Sequence, residues 1–188
     1  MNKKRCKWVT DDPIYIQYHD CEWGRPEYDD QKLFEMLCLE GAQAGLSWIT
    51  ILKRRENYVK AFDQFDPTII SKYSEKKITE LMQNKGIIRN RRKINAFVKN
   101  AQSFLEIQKE FGNFHTYIWS FVGGKPMINH WEAHKDVPAF TKESEQMSKD
   151  LKRRGFQFVG PTICYAFMQA TGMVNDHTKD CFLYGKKL

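Results

Sequence analysis

His177 and Cys181 stand one helical turn apart in "GMVNDHTKDCFLYGKKL". Both are soft ligands, but a structural zinc ion takes four. Cys6 and His19, with twelve residues between them, would complete a Cys2His2 set. A metal shared by residues 6, 19, 177 and 181 would pin together two chain ends that otherwise fray. Four unrelated side chains could show the same spacing, so the sequence alone leaves the metal open. His130 and His134, in "HWEAH", are also four apart. Their glutamate is not where H-E-x-x-H requires it, and the segment is bounded by Gly and Pro, so a solvated polar loop is expected there.

A second group lies in "NKGIIRNRRKI", residues 84 to 94. It reads as a helix, a Gly-apolar-apolar turn and another helix, the pattern of a helix-hairpin-helix. Backbone N–H groups at Gly86 and Ile87 and the start of the second helix would face a phosphate. Arg89, Arg91, Arg92 and Lys93 put positive charge beside it. The basic run "KDLKRR" (149 to 154) reads instead as a solvated helix face.

The third group combines "YIQYHDCEWG" with "CLEGAQAGLSW". Glu40 falls on an otherwise apolar helix face, just before Gly41. Trp8, Tyr15, Tyr18, Trp23 and Trp48 supply flat π surfaces. Aromatic walls around one carboxylate suit a flat cationic or electron-poor ring. On composition alone, the rings could equally be core and Glu40 a surface group at a helix end.

The elements that must position these groups are helices. In "DDQKLFEMLCLEGAQAG", Leu33, Phe34, Leu37 and Cys38 share a face, with Asp29 or Asp30 as a cap. One helix is expected over "LSWITILKRRENYVKAF". Asp66 and Pro67 open the next. "EKKITELMQ" gives a short helix. "NRRKINAFVKNAQSFLEIQKEF" gives a long one, with Ile94, Phe97, Val98, Ala101, Phe104 and Leu105 on its apolar side. "NFHTYIWSFV", "TKESEQMSKDLKRRG" with Thr141 as cap, and "PTICYAFMQATG" complete the set. No stretch sustains a period of two, so the predicted class is all-α.

Bulk properties narrow the function. The 188 residues carry a net charge of +7, which favours a polyanionic partner. No apolar run approaches the ~20 residues that span a bilayer. An odd cysteine count, five, without an apolar leader argues against a disulfide framework. A reduced, cytoplasmic monomer is expected.

Taken together, "DPIYIQYHDCEWG", "KLFEMLCLEGAQAGLSWITILKRRENY", "GIIRNRRKI", "WSFV", "KRRGFQFVGPTICYAFMQATG" and "VNDH" resemble the 3-methyladenine DNA glycosylase I family of the helix-hairpin-helix superfamily, over nearly the full length. The resemblance implies a single glycosylase unit of two helical lobes. The middle lobe would span about 30–122 and contain the hairpin. Segments 1–29 and 140–188 would pack around a structural zinc held by Cys6, His19, His177 and Cys181. It implies a pocket in which Glu40 is the carboxylate and Tyr18, Trp48, Trp8 and Tyr15 are the walls. Leu46 matches the position of a wedge into the duplex, and Gly86 the DNA-anchoring turn, with Ile87, Arg89 and Lys93 beside it. The implied reaction is hydrolytic release of 3-methyladenine from double-stranded alkylated DNA in the bacterial cytosol. "FLEIQKEFGNFHT" lacks the aspartate that many superfamily members place after the hairpin, and Glu106 and Glu110 lie on the expected solvent side. With no clear imine-forming lysine, a monofunctional enzyme is expected. The competing readings are a non-catalytic zinc-stabilised DNA-binding module and a helical interaction protein indifferent to DNA.

Overall fold

The computed structural model describes residues 3–186. Its first helix, α1 (Pro13–Cys21), is not anticipated by periodicity. Asp12 caps it by accepting from the Ile14 N–H at 3.1 Å, and Pro13 takes the first position, where a missing N–H costs nothing. The buried face of α1 carries Tyr18 and His19, polar-tipped rings that a pattern of aliphatics overlooks.

α2 (Asp30–Gln43) follows, capped by Asp29. Its middle is buried nearly all round, from Leu33 to Ala42, with only Glu35 half-buried. That fits its place in the fold: it packs on α3, α7, α8 and α10. The single helix expected over residues 46–62 is instead α3 (Trp48–Leu52) and α4 (Arg55–Ala61), broken at Lys53–Arg54. α5 (Pro67–Ile70) and α6 (Glu75–Gln83) start on side-chain caps from Asp66 and Ser74. α7 (Arg91–Phe111) is capped by Asn90. It buries Ile94, Phe97, Ala101 and Phe104 against α5, α6 and α8 (Phe114–Trp119). Glu106 and Glu110 are exposed, as expected.

α9 (Lys142–Arg153) and α10 (Pro161–Ala170) pack on each other and close the back of α2. The run ending α9 is only partly a solvated face. Arg154 bonds Asp150 at 2.9 Å and Glu110 at 2.6 Å, and its guanidinium lies over the Phe111 and Tyr117 rings. It therefore fastens α9 to the far end of α7.

The class is all-α with one addition. A two-residue parallel pair, β1 (Met127–Ile128) and β2 (Val174–Asn175), staples the Gly/Pro-bounded loop to the C-terminal segment. The chain ends also meet: the Phe182 N–H donates to the Lys4 carbonyl at 2.8 Å, and Lys4 pairs with Asp180. Among the described residues, no helix is long and apolar enough to cross a membrane.

Candidate active site and metal cluster

Four elements converge on one cavity of about 200 Å³. Trp8 comes from the segment before α1, Tyr15 and Tyr18 from α1, Glu40 from α2, and Trp48 from the first position of α3. All five sequence-predicted pocket residues therefore meet. The Tyr18 and Trp48 ring centroids are 5.5 Å apart at 49°, and Trp8 stands edge-on to Tyr15 at 5.2 Å. Drug-sized ligands occupy roughly 300–1,000 Å³, so this smaller cavity suits a single flat ring system.

The polar atoms in it are unusual. Glu40 is 4% exposed, and its Oε2 has no protein partner. The indole Nε1 atoms of Trp8 and Trp48 are also buried without one. Buried polar atoms are nearly always satisfied. Two donors and an acceptor left free around one cavity mark a place built for a ligand's own donors and acceptors. Burial pushes the Glu40 carboxyl up to about 8, because desolvation penalises the charged form.

Sequence reasoning missed part of the wall. Gln43, His134, Val137, Gln169, Asp176 and Thr178 also line the cavity. The His130–His134 segment is thus more than a solvated loop. His130 bonds the Tyr184 hydroxyl at 2.7 Å, and His134 reaches the cavity. Gln43, Gln169 and Asp176 lie within stretches already quoted but carry no local signal of their own; the β1–β2 staple brings His134 and Val137 close to Asp176 and Thr178.

Behind the aromatic wall, Cys6, His19, His177 and Cys181 come together, all buried, with their ligand atoms within 4.8 Å of one another. Cys181 Sγ is 3.5 Å from both His19 Nε2 and His177 Nδ1, and Cys6 Sγ is 3.5 Å from His177 Nδ1. Tetrahedral zinc with Zn–S near 2.3 Å and Zn–N near 2.0–2.1 Å separates neighbouring ligands by about 3.5 Å, so the cluster fits a tetrahedral ion. His19 Nδ1 bonds Asp20 at 2.8 Å, and Asp20 is held in turn by Arg5. Such an outer carboxylate fixes the ring so that Nε2 faces the metal position. These four residues could hold a metal ion.

The hairpin is also as expected, with two changes. α6 and α7 flank a turn in which Gly86 sits against Asn57: a Cβ there would meet the Asn57 side chain at 3.0 Å. The Gly86 N–H is spent on Asn84 Oδ1 at 2.8 Å and the Ile88 N–H on the Tyr58 hydroxyl at 3.2 Å. The Ile87 side chain is buried core. The Ile87 N–H points at the Asn84 carbonyl at 3.5 Å, and the Arg91 side chain is paired with Glu75; the donors left to face a phosphate include the first N–H groups of α7, which precede any helical acceptor, and the exposed Arg89 and Arg92 side chains. Lys93 departs from its expected place beside a phosphate. It is 8% exposed, and its Nζ donates to the carbonyls of Ala42 and Ala44. Its outward reading fails because α7 turns residue 93 toward α2, beside Ile94 and Phe97.

Leu46 is 39% exposed at the tip of the turn joining α2 to α3. Ala44 has φ −45°, ψ 117°, Gly45 has φ +77°, and the Leu46 N–H returns to the Gln43 carbonyl at 2.6 Å. This is type II turn geometry, which needs a left-handed third residue and hence glycine.

The comparisons with known proteins agree with this geometry. The methyladenine glycosylase family model matches residues 8–184. A DNA-3-methyladenine glycosylase of Haemophilus influenzae is 55% identical over 177 residues, covering 94% of this chain and 96% of that protein. DNA-3-methyladenine glycosylase 1 of Escherichia coli is 51% identical over 181 residues, covering 96% and 97%. Among solved structures, 3-methyladenine DNA glycosylase I of Staphylococcus aureus, determined to explain 3-methyladenine recognition, superposes with a TM-score of 0.94 at 40% identity and covers 98% of each chain. The chain belongs to the methyladenine glycosylase family.

Proposed function

We propose that this protein is a monofunctional DNA glycosylase that hydrolyses the N-glycosidic bond of 3-methyladenine in alkylated double-stranded DNA, the first step of base-excision repair. The observation that carries the proposal is the unpartnered Glu40 carboxyl inside an aromatic cavity sized for one base. A module that only bound DNA would have no use for it.

The sparse machinery matches the substrate. Methylation at N3 makes adenine cationic and already a good leaving group, so strong general acid catalysis is unnecessary. The lesion leaves the stack, a step that is cheaper for damaged bases, and Leu46 fills the space it vacates. Tyr18, Trp48 and Trp8 grip a cationic ring more tightly than a neutral one. Glu40 accepts a hydrogen bond from the exocyclic amine, and its carboxylate stabilises positive charge in a dry site. Water attacks the anomeric carbon as the bond to the base nitrogen breaks; the bond pair returns to that nitrogen, the base leaves neutral, and the water's second proton passes to solvent. Lys93 Nζ is held by two carbonyls, which leaves it unavailable for an imine with the sugar and supports hydrolysis without strand cleavage.

The cysteine–histidine cluster is proposed to hold one structural zinc ion that ties the chain ends together behind the pocket. The three thiols outside that cluster, Cys21, Cys38 and Cys164, with Cys21 exposed, suit the reducing cytoplasm proposed as its location. The protein is proposed to act as a monomer.

The test is base release. Purified protein is mixed with methylated duplex DNA and free purines are separated by chromatography. Free 3-methyladenine without strand nicking or 7-methylguanine release is expected; no released base from folded protein overturns the reading. In the same assay, Glu40→Gln slows excision by ~100-fold, the scale of losing one preorganised electrostatic contact. Arg89→Ala leaves chemistry intact and lowers the slope of log affinity against log salt by about one. An unchanged slope removes Arg89 from the phosphate contacts.

A further inference from the structure

One side chain ties the hairpin helix to the turn that presents Leu46. Lys93 Nζ donates to Ala42 O and Ala44 O, each at 2.7 Å. Both carbonyls lie between Glu40 and Leu46. The other end of the lysine is fixed too, since its backbone N–H is capped by Asn90 Oδ1 at 3.2 Å, one residue past Arg89.

This is a costly way to finish a helix. An ammonium loses hydration on burial, and burial holds the Lys93 pKa below that of an ordinary lysine. Among the described residues no carboxylate pairs with it; Lys93 is in none of the salt bridges. Charge and position still match: the last carbonyls of α2 are the negative end of its dipole and lack helical donors. A local C-cap would satisfy them without burying a charge. What a local cap would not do is connect α2 to α7. The bond from the Leu46 N–H to the Gln43 carbonyl at 2.6 Å closes the turn on itself, and a Cβ at Gly45 would meet nothing within 4 Å, so neither attaches the turn to α7.

We propose that Lys93 is a positioning residue that fixes the Leu46 turn, and with it the end of α2 that carries Glu40, against the first turn of α7. Phosphate anchoring at the hairpin and insertion of Leu46 then occur in one register, which places the extruded nucleotide over the cavity. The proposal rests on the reading of Leu46 as the wedge.

The test is a double-mutant cycle on Lys93→Met and Leu46→Ala, read by single-turnover excision from methylated duplex, by duplex affinity and by binding of free 3-methyladenine through tryptophan fluorescence. Methionine keeps most of the stem and removes the ammonium. Lys93→Met should slow excision about tenfold or more, because misplacement by about an ångström can cost that much. It should keep free-base and undamaged-duplex affinities within about threefold of the parent, and add less than about twofold to the loss in a Leu46→Ala background. A purely stabilising role predicts additive losses, or loss of free-base binding in step with excision; either overturns the proposal. Leu46→Ala at the parent rate overturns the wedge reading and this proposal with it, whereas slow Leu46→Ala with additive losses overturns this proposal alone. If Lys93→Met does not fold, Lys93→Gln, which is shorter and uncharged, takes its place in the cycle under the same additivity criterion, and parent-like excision by it also overturns the proposal.

Discussion

Glu40 and Asp176 are both buried, at 4% and 2% exposure, and both line the same cavity, yet the protein treats them oppositely. Asp176 accepts from Asn129 Nδ2 at 2.7 Å and Trp131 Nε1 at 2.8 Å on one oxygen, and from the Tyr165 hydroxyl at 2.6 Å and Gln169 Nε2 at 2.7 Å on the other. Its charge is dispersed into neutral donors from the stapled loop and from α10. Glu40 has no such donors, and its Oε2 is left bare. One wall of the cavity is therefore finished by the protein; the other is left for a ligand to finish. A carboxylate that is saturated holds structure, and one that is deliberately unsaturated spends stability on recognition.

The finished wall adjoins the Cys6–His19–His177–Cys181 cluster, because His177 follows Asp176 directly. The largest effect should come from breaking that cluster. Cys181→Ser, or exhaustive chelation of the native protein, should cost more than ~4 kcal/mol, the range reached when a structural metal is lost. Denaturant unfolding with metal release measured in parallel reads this. A midpoint indifferent to chelator, with no metal released, would show that the wall supports itself.

Next comes the saturated carboxylate. Asp176→Asn keeps the shape but turns one oxygen into a donor facing Tyr165 and Gln169 or Asn129 and Trp131. All four bonds lose their charge assistance, and at least one becomes a donor–donor contact, at a cost of roughly 1–3 kcal/mol. Excision should fall only as far as folding does. If Asp176→Asn folds normally but excises poorly, the contrast is wrong and Asp176 belongs with Glu40 in recognition.

This contrast also marks how far the sequence could be read. The helices flanking the hairpin were legible because their signals are local: Ser74 and Asn90 cap them, and α6 and α7 run with the expected apolar periodicity. At the cavity, residue types suggested a carboxylate among aromatic rings, but only the family resemblance chose between a pocket and plain core, because burial of Glu40 depends on packing that the sequence does not display. The donors to Asp176 were not, because they lie 7 to 47 residues away, two on α10 and two on a loop held by a two-residue staple too short to show a period. α1 hid behind polar rings, and the break between α3 and α4 falls in "LKRRE", where no Gly or Pro marks it. Lys93 misled for a physical reason. A long stem lets a lysine occupy an inward helix position and still find carbonyls, so charge alone does not say which way it points.

The comparison is sharpened most by the pH dependence of stability set by Glu40, whose size within any one pH unit is small. Its folded pKa, raised by burial to about 8, lies above the ordinary carboxylate value, so the folded state holds the proton more tightly than the unfolded chain. The stabilisation is complete below about pH 4.5 and is lost as pH rises through about 8, with a slope of at most ~1.4 kcal/mol per pH unit. Glu40→Gln mimics the neutral acid. It should match the parent near pH 4.5, then overtake it as pH rises, the opposite of what a structural carboxylate would do. Guanidinium unfolding at several pH values reads the two curves. Parallel curves would place Glu40 with Asp176 as a structural group.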